Sequence, residues 1–160
     1  MYAVRLWSVR HARFLEGVYN LFERGLVRLH PFLKRIGYDR LEKPVRAVER
    51  QVKGFLFDCQ MCGRCMLSSS GMSCPMNCPK NLRNGPCGGV RGNGHCEVKP
   101  EMKCVWVQAW EGSRRMVGGD KILDLQKPVD HNLKGTSAWL RRTREIAEPD
   151  AGAARKKPAA

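Results

Sequence analysis

Apolar residues recur every three or four positions between Ser8 and Leu29, where Phe14, Val18, Phe22, Leu26 and Leu29 form a stripe widened by Leu15, Tyr19 and Val27. That period predicts an amphipathic helix, with Arg10, Arg13, Arg24 and Arg28 on much of the remaining surface. The stripe is expected to cover the chain's own core; docking on a partner is the other use. Pro31 is expected to end the pattern. Beyond the turn signals Gly37 and Asp39, the run Leu41, Val45, Val48, Val52 and Phe55 predicts a second helix, in which Pro44 is tolerable only near the start. The two helices are expected to form a hairpin that buries one shared apolar seam. A seam of about a dozen side chains is modest for a chain of 160 residues, so another source of stability is called for.

Periodicity then stops. Ser68 to Gly94 is rich in Gly, Pro, Asn and Ser, which predicts loops and tight turns. Val105 to Trp110 fits a short strand or a helical turn equally well, because six residues are too few for either period to decide. An extended arm from Lys127 is expected to lead into a helix capped by Thr136 or Ser137 and running through Ile146. From Glu148 onward no large apolar residue occurs, which predicts a disordered tail. The expected fold is mainly α with irregular loops. Its parts are an N-terminal helical region (1–56), a Cys-rich metal-binding core dominated by loops (57–104), a C-terminal arm and helix (105–147) and the tail (148–160).

The chemistry lies in the middle part. All eight cysteines fall there, as Cys59, Cys62, Cys65, Cys74, Cys78, Cys87, Cys96 and Cys104, and Pro75 and Pro79 each follow one directly. The N-terminal stretch lacks the apolar run of a signal peptide, and no stretch is apolar enough to span a membrane, so a cytoplasmic location is expected. Thiols stay reduced there, which favours metal over disulfides. Zinc sites usually pair two C-x2–4-C knuckles. The triplet Cys59, Cys62, Cys65 resembles instead the C-x2-C-x2-C run that grips an iron–sulfur cubane, although the next cysteine comes eight residues later where the ferredoxin pattern has three. All eight are candidate metal ligands, for one or two [4Fe–4S] clusters, with zinc as the alternative. His95, beside Cys96, could replace a cysteine as ligand, although a lone loop histidine is more often simply solvated. The spacing does not say how the eight divide.

The formal charge is +14. Six basic and two acidic residues lie between positions 59 and 104, an excess that two oxidised clusters with thiolate ligands would offset. Nucleic-acid binding is disfavoured, because basic and aromatic residues do not interleave on one element. The length falls below the roughly 250 residues typical of a (β/α)8 barrel.

The runs Phe57–Ser68, Cys74–Lys80, Arg83–Arg91 and Cys96–Val98, with Gly135-Thr-Ser-Ala-Trp139 near the end, resemble the methylenetetrahydrofolate reductase C-terminal domain family over residues 55–140. The resemblance implies a subunit or module beside a flavin-binding reductase barrel, associated with iron–sulfur clusters or zinc. It further implies an accessory redox role in interconverting 5,10-methylene- and 5-methyl-tetrahydrofolate, with flavin and folate held by the partner barrel. Lys80, Arg83 and Arg91 are candidates for offsetting cluster charge or meeting the partner. Trp106, Trp110 and Trp139 are candidates for packing beside the centre.

Overall fold

The computed structural model describes residues 2–149; the tail predicted beyond them lies outside the described residues. Six α-helices carry the architecture: α1 (Tyr2–Arg10), α2 (Ala12–Arg28), α3 (His30–Ile36), α4 (Tyr38–Phe57), α5 (Val105–Ser113) and α6 (Ala138–Ala147). Between α4 and α5 the chain runs as loops, with one 3-10 turn at Pro75–Asn77. No strand forms among the described residues, and only the isolated bridges Val90–Cys96 and His95–Lys103 tie the loops in antiparallel fashion.

The predicted first helix is two helices. His11 leaves helical geometry (φ −103°, ψ 26°) and separates α1 from α2. Pro31 does not end the helical stretch: it lies in the first turn of α3, where no N–H partner is lost. Pro44 lies deeper in α4 than the sequence led one to expect, leaving the exposed Arg40 without an intrahelical N–H for its carbonyl. The ambiguous Val105 stretch is helical, held by the Ser73 hydroxyl, which donates to the Val105 carbonyl at 3.1 Å. Ser137, not Thr136, caps α6, accepting from the Leu140 N–H at 3.2 Å. Glu148, placed at the head of the tail by the sequence, instead accepts a hydrogen bond from Lys34 at 2.5 Å.

The predicted hairpin is absent. α2 packs on α6, while α4 packs on α1, α3 and α6, so the two amphipathic helices share no seam. Only part of each predicted stripe turns inward: Leu15, Tyr19, Leu26 and Val27 on α2 and Leu41 and Val45 on α4 are half-buried, whereas Phe14, Val18 and Leu29, with Leu21 beside them, and Val48, Val52 and Phe55 on α4 are exposed. α4 is rolled so that Glu49, Lys53 and Phe57 face inward. The core lies instead around the loops. One cluster joins Ala12, Phe57, Leu67, Met72 and Met116 to Cys74; the other joins Met66, Trp106 and Ala109 to Cys104. Each half of the core therefore carries a thiol in its wall.

Candidate metal centres

The first centre starts where α4 stops. Asp58 takes a left-handed conformation (φ 52°), and the Asp58 and Cys59 N–H groups close back onto the Gly54 and Lys53 carbonyls, a Schellman-type stop that turns the chain sharply. Met61 (φ 47°) and Gly63 (φ 74°) are also left-handed, coiling the loop between successive cysteines. Cys59, Cys62 and Cys65 thereby line one cavity, and Cys74 joins them as the fourth thiol in its wall. Cys74 is delivered by the turns at 68–73, which are pinned where the Gly71 backbone lies against Gly112 of α5.

The C-terminal arm clamps this loop from outside. Gly135 N–H donates to the Met61 carbonyl at 2.8 Å, and the Arg141 guanidinium donates to the Gly63 carbonyl. A Cβ on Gly63 would lie 2.3 Å from the Leu133 carbonyl oxygen. Gly63→Ala is therefore expected to destabilise the chain by on the order of 3 kcal/mol, from left-handed strain plus backbone overlap, as read by a denaturant midpoint.

The other four thiols line a second candidate site. Cys78, Cys87, Cys96 and Cys104 line a separate cavity, with Pro79, Val90, Glu97 and Trp106 among its walls. Cys96 is placed by its N–H bond to the Met102 carbonyl, and Cys104 by its bond to the Gly94 carbonyl, just before α5 begins. The Glu97 carboxylate lies 3.7 Å from the Cys87 sulfur and is paired with Lys80. The two centres are joined through Pro75–Asn77, whose flanking residues are Cys74 and Cys78.

All eight cysteines are free thiols. Among the described residues no three His, Cys, Asp or Glu side chains converge as ligands of one ion. His95 bonds the Pro100 carbonyl at 2.7 Å and lines neither thiol cavity.

Cations surround the first cavity. Arg83 is buried, and its guanidinium faces the Cys62 sulfur (3.8 Å), the Met76 sulfur and the carbonyls of Arg64 and Lys127; none of these partners is a carboxylate. The Nε of Arg64, in the same wall, is buried with no hydrogen-bond acceptor. Lys53 donates to Glu49 at 2.6 Å in a fully buried pair. Burial pushes the Lys53 pKa down, but the Cys65 thiol and the Glu49 carboxylate push it up and prevail, so the ammonium stays charged. The hydrogen bond from the Cys74 thiol lowers the Cys59 pKa to about 7, against burial and helped by the Met61 N–H and by Lys53. The shared proton correspondingly raises the pKa of buried Cys74. The wall thus combines four thiols with the paired Glu49 and Lys53, the buried Arg83 and the unpartnered Arg64 Nε, and its cationic groups are able to offset thiolate charge.

A sequence profile described as "Methylene-tetrahydrofolate reductase C terminal" matches residues 38–132. The chain belongs to this family. No curated protein and no solved structure matches it. The family match takes in α4, both thiol quartets and α5, and stops short of the clamp formed by the arm and α6. In this reductase C-terminal module the sequence flagged Arg83, which is buried against Cys62; Lys80, which is paired beside Cys87; and Arg91, which is exposed. Trp106 walls the second cavity and donates to the Leu82 carbonyl, Trp139 lies over Lys53, and Trp110 is exposed. Glu49 and Lys53 were missed. Their Glu-x3-Lys spacing reads as an ordinary surface pair of a helix, and only the roll of α4 puts them under the thiols.

Proposed function

We propose that this chain is an iron–sulfur, electron-transferring subunit of a methylenetetrahydrofolate reductase system, working beside a flavin-binding barrel that holds the folate. The carrying observation is the division of eight thiols into two adjacent quartets, the first ringed by buried cations. Cys59, Cys62, Cys65 and Cys74 would hold one cluster and Cys78, Cys87, Cys96 and Cys104 the other. Such clusters pass single electrons.

The chain's own groups set the conditions for that chemistry. Lys53 and Arg83 place positive charge against the first quartet, favouring a more reduced and more negative state there. The Met61 N–H, 3.4 Å from the Cys59 sulfur, adds a donor that does the same. The apolar walls Met66, Leu67 and Met76 limit water at these thiols. Among the described residues no helix is long and apolar enough to cross a membrane.

Anaerobic purification followed by a visible spectrum and analysis for iron, sulfide and zinc tests the proposal. Broad thiolate-to-iron absorption with matched iron and sulfide is the expected result. A colourless protein that contains zinc, and whose partner keeps full activity without it, would instead make it a scaffold.

A further inference from the structure

Among the described residues no element covers the outward stripe of α2. Phe14 (64% exposed), Val18, Leu21 (72%) and Leu29 lie on one face, and Phe32 (57%) extends it onto α3. The turn between the helices keeps the register, because Leu29 N–H still bonds the Gly25 carbonyl and Leu33 N–H the Leu29 carbonyl. Successive members are three or four residues apart if Gly25 is counted, which makes a straight seam along the helical surface. Gly25 sits at its middle with nothing within 4 Å of where a Cβ would be. A glycine inside a helix costs roughly 1 kcal/mol relative to alanine, and nothing among the described residues fills the notch.

The charge beside the seam has one sign. Arg13, Arg24, Arg28 and Arg35 lie exposed along its flank, while the acids of α2 turn away. Glu16 is buried, accepting from the Val117 and Gly118 N–H groups, and Glu23 pairs with Arg142 of α6. A second copy of this basic chain would bring a like-charged rail against this one. An apolar face with acidic edges is the complement.

The inner face of the same helix reaches the first thiol quartet. Tyr19 is largely buried, and its hydroxyl pKa is raised first by burial and then by Cys65. A body seated on the seam would therefore lie about one helix diameter, roughly 10–12 Å, from those thiols.

We infer that the α2–α3 seam docks an acidic-edged apolar helix of the flavin-binding reductase subunit, which brings the first quartet within electron-transfer reach of that subunit. This rests on the redox role proposed above. The test measures binding of the purified, flavin-loaded barrel subunit to the full-length chain, with iron content measured on every variant. Leu21→Asp and Phe14→Asp, both on exposed side chains, are each expected to weaken binding about 30-fold or more, with iron and helix content unchanged. Gly25→Ala is expected to raise the melting temperature of the isolated chain yet weaken the complex, and it serves as the readout should an aspartate variant fail to fold.

Unchanged affinity in all three variants overturns the docking assignment, whatever the iron content. So does wild-type chain that ignores the barrel and floats with anionic phospholipid vesicles, or that forms a dimer abolished by Leu21→Asp. Variants that lose the barrel from a chain containing no iron would keep the docking surface and sink the electron-transfer reading alone.

Discussion

Cys62→Ser and Cys96→Ser are each expected to lose roughly half of the iron and sulfide of the wild-type chain, and the double variant nearly all of it. The expectation follows from the separation of the thiols: Cys62 faces only the first cavity and Cys96 only the second. Spectra of the two single variants should differ, because buried Lys53 and Arg83 border the first centre while the exposed Lys80–Glu97 pair borders the second. Equal and complete loss in both single variants would mean that one centre draws on both sets of sulfurs. Unchanged iron in either would remove that cysteine from the ligand set.

Lys53→Met is expected to destabilise the chain by about 3–5 kcal/mol, the usual cost of stranding one member of a buried ion pair. The stranded group would be Glu49, which also accepts from the Ser137 hydroxyl at 2.6 Å and from the Ala138 and Trp139 N–H groups at the start of α6. Glu49→Leu combined with Lys53→Met removes both charges and should cost less, roughly 1–2 kcal/mol for the lost cap. Denaturant midpoints of the single and double variants check this. A single variant as stable as the double would show that the pair is not coupled in this way.

The family likeness and the helices and loops were legible in the sequence, and the packing largely was not. Cysteine spacing is local, so the triplet, the loop character of 68–94 and the reductase C-terminal likeness could all be read directly. The division into quartets depends on how distant loops fold over one another. Cys104 joins Cys78 only because its N–H bonds the Gly94 carbonyl and α5 starts there, a long-range outcome that no spacing rule encodes. Periodicity found α2 and α4 correctly as helices, yet only part of each stripe faces in: Leu15 and Tyr19 are half-buried while Phe14 and Val18 are exposed. An apolar stripe marks residues that favour exclusion from water, but its period does not say which neighbour, if any, covers them. The polar side of α4 turns inward because Glu49 satisfies the start of α6 and Lys53 balances sulfur.

The short Pro75–Asn77 turn between Cys74 and Cys78 would bear on the stoichiometry of the electron transfer proposed above. At about 2 Å of rise per residue, a 3-10 turn keeps its flanking residues within roughly 8 Å along its axis. Carriers anchored so close would equilibrate with each other before either met an outside acceptor. Reduction of a methylene to a methyl group consumes electrons in twos, and a tandem of single-electron carriers on one tether would stock a matching pair for each turnover.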